Sequence, residues 1–227
     1  MSTANVKMPA ETYQLIRIAV GLIGILLPLA IYFVNKVFGQ GGLPSISASY
    51  YSPAGVLFIG MVSAIGMFML AYTGERSDDK WSNIWVVKAA GFFALLVVLF
   101  PTHCPDGIEG FKCACLAGCP CLFGHAEDNW VTTVHGVSAG LFFLLSALAS
   151  AYLHDRENVP PYTANVGKLA GFAIAILTLI IFLISFFPIP DQHGLVYILE
   201  TGVLLLFGIS WLVWGGAMEY LLQRMKA

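Results

Sequence analysis

The sequence is short of charge. Lys, Arg, Asp and Glu make up 11% of its 227 residues, against 58% hydrophobic types. Soluble domains carry about 25% charged residues, so this apolar excess needs a solvent other than water. No polar stretch is long enough to build a core of its own, which leaves no room for a separate soluble domain. Basic surplus is lacking as well. The net charge of −2 argues against nucleic acid as a partner, because no basic face exists to neutralise phosphates. No A-x-A site follows the first apolar run, Ile18 to Val34. That run also exceeds a signal-peptide core of roughly 7–15 residues, so it reads as a retained membrane span. There is no CxxCH haem motif and no GxSxG elbow to activate a serine. Few charges fall within the apolar runs and no inverted repeat is visible, which argues against a channel or transporter.

What is present is a series of long apolar runs. A bilayer core of about 30 Å takes roughly 20 residues of helix. Six segments meet that length: Leu15 to Phe38 with Pro28 inside it, Pro53 to Thr73, Ile84 to Phe100, Trp130 to Tyr152, Val166 to Phe187, and Leu195 to Leu222. The expected fold class is therefore all-α, a single polytopic bundle of six transmembrane helices. The spans are apolar nearly all round, so periodicity does not tell which faces pack together.

Basic residues set the expected orientation. Lys7, Arg17, Arg76, Lys80, Arg156, Lys168, Arg224 and Lys226 fall on one side, and Lys36 and Lys112 on the other. Lys88 lies a little way into the third span, where its stem can snorkel to the nearer interface. Eight against two puts both termini in the cytoplasm by the positive-inside rule, with the chain in the plasma membrane of a bacterium. The connections 39–52, 101–129 and 188–194 then face outward.

Three constellations of polar residues fall on that outer side. The first is the connection 101–129, which holds Cys104, Cys113, Cys115, Cys119 and Cys121. On an oxidising side disulfides are the default. Two bridges between the Cys113/Cys115 and Cys119/Cys121 pairs would leave Cys104 over. The alternatives are unpaired thiols and a metal site, since thiolates and imidazoles suit zinc or copper and His103 and His125 flank the loop. No cofactor follows from the sequence beyond that zinc. The second constellation is the run Leu43 to Tyr51. Pro44 and the hydroxyls of Ser45, Ser47 and Ser49 suit a helix start. They also suit a polar mouth for lipid headgroups, since helix N-termini favour anions such as phosphate. The third is His135 in span four with Glu200 in span six. Both lie roughly 7 Å below the interface at 1.5 Å per residue, and neither has another obvious partner at that depth. Ionisable groups inside a span face the interior with a partner, so the two are expected to meet. Asp191 and His193 could extend the set.

These same residues carry a resemblance. The LPSISAS run before span two, the Phe-Pro-Thr ending of span three, the VHGVSAGLFF run of span four and the ILETGVLLLFGISW run of span six look like the FRAG/DRAM/SFK family and bacterial families of similar layout. The resemblance implies six spans. Ser45, Ser47, His135 and Glu200 match the family's serine-rich motif, span-four histidine and span-six glutamate. Thr201 stands where the family often has an aromatic, and the cysteine loop is outside its pattern. A role in lipid remodelling or distribution is implied.

The expected function is a lipid-interacting membrane protein with a polar pocket at the outer leaflet. As an enzyme it would carry out acyl transfer or lipid hydrolysis, with His135 as general base oriented by Glu200. Water or a substrate hydroxyl would be the nucleophile. One alternative is a non-catalytic scaffold or lipid organiser. The other is a zinc-dependent membrane hydrolase using His103, His135 and His193, against which stands the lack of an HxxxH pair on the last span.

Overall fold

The computed structural model describes residues 10–38, 42–72, 81–103, 129–153, 161–187 and 194–217. Among them are six α-helices, one short 3₁₀ helix and no strand. The helices are α1 (Ala10–Val37), α2 (Gly55–Ala71), α3 (Trp81–Leu99), α4 (Asn129–Leu153), α5 (Pro161–Phe186) and α6 (Leu195–Trp214), with the 3₁₀ turn η1 (Ser47–Tyr51) leading into α2. The protein is an all-α membrane-type bundle. In α1, α4, α5 and α6 the segments Glu11–Val37, Asn129–Tyr152, Tyr162–Ser185 and Leu195–Trp214 are long and apolar enough to cross a bilayer core, while Gly55–Ala71 and Ile84–Leu99 are shorter apolar helices.

Each helix packs on its neighbours in the chain, and α6 closes the ring against α1. Helices α4 and α6 also touch across it through Phe142 and Phe207, whose ring centroids lie 5.7 Å apart. A hydrogen bond of 2.8 Å between Ser150 and Ser210 joins the same two helices. Large apolar side chains cover the outside, among them Leu26, Phe33, Phe172, Leu179 and Phe182. That is the outward surface expected where the surrounding solvent is lipid.

Small residues bring three helix pairs into backbone contact, as they do where lipid removes the hydrophobic drive between spans. A Cβ on Gly208 of α6 would stand 2.6 Å from the Gly21 carbonyl of α1. One on Gly91 of α3 would meet the Gly66 carbonyl of α2 at 2.7 Å, and one on Gly171 of α5 the Ala147 carbonyl of α4 at 2.5 Å.

Helix boundaries differ from the sequence expectation most at α6, which was expected to reach Leu222. It ends at Trp214 because Gly215 and Gly216 turn the chain: Gly216 has φ 59, and the two amides close back on Trp211 and Val213. Such left-handed glycine caps stop helices. Helix α5 starts earlier than expected, at Pro161, a residue pre-organised for the first helical position.

Two ends of the ring are defined by their contacts. At the terminal end, Arg17 near the start of α1 meets the ends of α2 and α6. Its guanidinium donates to the Tyr72 hydroxyl at 3.0 Å and lies 4.1 Å from the Trp214 ring centroid. At the distal end, α1 and α3 finish and α4 and α6 begin. The second and third polar constellations of the sequence come together there.

Candidate functional site

The distal site is built around a stretch of non-helical backbone. Residues 43 and 46–49 are buried, so the amides there need protein partners, since a buried backbone N–H left unpaired is costly. The first free donors of η1 are satisfied in sequence. The Ile46 amide donates to Glu200 Oε2 at 2.5 Å. The Ser47 amide faces the same carboxylate. The Ala48 amide donates to Ser45 Oγ at 3.0 Å. Glu200 therefore caps a turn more than 150 residues away in the chain, in the role an N-cap side chain usually fills locally. The serine run has the helix-start role: Ser45 caps, and the buried Ser49 hydroxyl donates to the Ile46 carbonyl at 2.6 Å.

Helix α6 returns the favour. Tyr197 lies in its first turn, where amides have no intrahelical partner, and its N–H donates to the Pro44 carbonyl at 3.2 Å. Its hydroxyl donates to the Pro28 carbonyl of α1 at 3.0 Å. One turn of α6 thus ties α1, the 43–49 stretch and itself together. On the other side, the Tyr51 hydroxyl donates to the Thr102 carbonyl at 2.6 Å, just past α3.

His135 is buried and faces α3. Its Nδ1 lies 3.1 Å from the Val97 carbonyl and 2.7 Å from the Phe100 carbonyl. Both partners are acceptors, so Nδ1 carries the proton and Nε2 carries the lone pair in the neutral ring. The reason lies in the next residue of α3. In a helix the Val97 carbonyl would accept from residue 101, but Pro101 has no N–H. His135 supplies the missing hydrogen from another helix.

These partners correct the expectation that His135 and Glu200 lack others at their depth. The hydrogen bonds that hold them run to different elements, His135 to the end of α3 and Glu200 to η1. At the η1 start, where the sequence suggests a polar mouth, the Glu200 carboxylate takes the Ile46 amide. His103 is exposed just after α3. Asp191, His193, His125 and the cysteines 104, 113, 115, 119 and 121 lie outside the described residues. Among the described residues, no group of three His, Cys, Asp or Glu is placed to hold a metal ion.

Sequence reasoning passed over Tyr197, Tyr51 and Asn35. Tyr197 stands three residues before Glu200, so a helix puts both on one side. Asn35 is a carboxamide near the end of an otherwise apolar span. It is 4% exposed, and among the described residues neither its Oδ1 nor its Nδ2 has a hydrogen-bond partner.

No curated protein matches the chain, and no solved structure does. A family model does match, over residues 45–218, from the capping serine of η1 to just past α6. Its description is a protein of unknown function, and by that match over most of its length the chain belongs to the DUF998 family.

Proposed function

We propose that this chain is a lipid-interacting integral membrane protein whose polar distal layer meets headgroups at the outer leaflet. The carrying observation is the buried polar backbone between Leu43 and Ser49, clasped by Glu200 and Tyr197 at a depth where apolar helix would otherwise suffice. The eight-to-two split of basic residues supports an outward-facing distal end. The four motifs behind the resemblance to the FRAG/DRAM/SFK group supply the partners of this one layer, which supports a lipid-related role. Native mass spectrometry of the delipidated full chain, titrated with single lipids, tests the reading. Retention of lipid at defined stoichiometry is expected; no retained lipid at any concentration overturns it.

A second reading, catalysis, is favoured by the tautomer of His135. With Nδ1–H held by two carbonyls, Nε2 is a base of fixed direction. In ester hydrolysis a water would attack the acyl carbonyl and pass its proton to Nε2. The imidazolium would then return that proton to the departing alcohol. Here the α3 carbonyls orient the ring and Glu200 does not. Release of free fatty acid from a labelled lipid by the wild-type chain, lost in His135→Ala, is the outcome this reading requires.

A further inference from the structure

Asn35 lies on the inward stripe of α1 that also carries Val20, Leu27 and Ile31, all buried. It stands seven residues beyond Pro28, nearly two full turns, and so on almost the same face. That face receives the Tyr197 hydroxyl at the Pro28 carbonyl. At 1.5 Å per residue the carboxamide is about 10 Å farther toward the distal end than Pro28. Both of its polar atoms are shut from water, and among the described residues neither has a partner. A carboxamide offers an acceptor and two donors, and a buried one left unmatched is costly. A group that can both donate and accept removes that cost when it enters.

The charges around it narrow the chemistry. Among the described residues of the distal ends, the carboxyl and ammonium side chains are those of Glu200 and Lys36. Lys36 is exposed, with its Nζ 5.7 Å from the Tyr32 ring centroid. The Ile46 amide, which would have taken a phosphate, is occupied by Glu200. We infer that the distal layer takes an uncharged headgroup, hydroxyl- or amide-bearing, which completes the hydrogen bonds of Asn35. The inference rests on the lipid-binding reading above and names its ligand class.

Binding of 1-oleoylglycerol and of 1-oleoyl lysophosphatidate to the purified full chain in detergent tests it, with Asn35→Leu as the variant. The uncharged lipid is expected to bind the wild-type chain about tenfold or more tightly than the phosphate lipid, and Asn35→Leu to lose about tenfold for the uncharged lipid alone. Without lipid, the variant is expected to melt no lower than wild type, since it removes an unmatched polar group. Tighter or equal binding of the lysophosphatidate to wild type overturns the inference and leaves lipid binding standing. So does unchanged oleoylglycerol binding by Asn35→Leu. Binding of neither lipid overturns both readings. The comparison of the two lipids on the wild-type chain stands even if the variant does not fold.

Discussion

His135 provides to the Val97 carbonyl the hydrogen that Pro101 lacks. The imidazole Nδ1 sits 3.1 Å from that oxygen, in place of the amide that any other residue at position 101 would bring. A histidine in one helix and a proline after another are thereby a single structural unit, although 34 positions separate them in the sequence.

That unit predicts non-additivity. His135→Ala leaves the carbonyls of Val97 and Phe100 without this donor, at about 1–3 kcal/mol in stability. In the Pro101→Ala background an amide is restored opposite Val97, and the same histidine change is expected to cost less by about 1 kcal/mol. Thermal or denaturant unfolding of the four proteins in one detergent measures the coupling. Strict additivity would show that the histidine is not replacing the missing amide.

Glu200→Gln tests the clasp on η1. Glutamine keeps one acceptor oxygen but turns an N–H₂ toward a segment that presents amide donors. A loss of about 1–3 kcal/mol is expected, together with faster amide exchange at residues 46–48. Glu200→Ala, which removes both acceptors, is expected to lose more. If exchange at those amides is unchanged in both variants, the carboxylate does not hold them.

The glycine contacts separate into tight and open positions. Gly208→Ala is expected to cost about 1–3 kcal/mol through overpacking, because its Cβ would lie 2.6 Å from the Gly21 carbonyl. Nothing lies within 4 Å of a Cβ on Gly60 or Gly136. Alanine there is expected to be neutral or to stabilise by up to about 1 kcal/mol through helix propensity. Equal melting shifts at tight and open positions would argue against close α1–α6 packing.

The orientation and the cysteine loop share one labelling experiment. With both termini cytoplasmic, a cysteine placed at residue 157 is expected to resist a membrane-impermeant thiol reagent in intact cells, and labelling there would reverse the topology. Unreduced mass spectrometry of the wild-type chain is expected to find no more than one alkylatable thiol among Cys104, Cys113, Cys115, Cys119 and Cys121. Four or more free thiols with one zinc per chain would replace the disulfides by a metal site.

The helices were legible because length and hydropathy largely specify them, and the boundaries that moved by more than a few residues are the starts of α1 and α5 and the glycine stop of α6. His135, Glu200 and the serine run were legible as exceptions, polar groups where apolar ones are cheaper. Their partners were not. Each satisfies backbone atoms, and a carbonyl or an amide leaves no trace in residue identity unless a proline removes one. Pro101 was such a trace, standing next to Phe100 in a motif already noted, and it accounts for the direction His135 takes. Nothing comparable marks Ile46 and Ser47 as the partners of Glu200, which need the ring closure of α6 on α1 to come within reach.

The clasp also imposes an order on assembly. The Ile46 amide leaves the ribosome 154 residues before the carboxylate that accepts it. Until α6 is made, the stretch before α2 has neither Glu200 for its amides nor the Tyr197 amide for the Pro44 carbonyl. A chain ending before residue 195 therefore lacks the partners that residues 197 and 200 give the 44–46 backbone. Among the described residues, the helix made last thus closes the connection made first, and a chain truncated before residue 195 is expected to lose protection at the Ile46 amide.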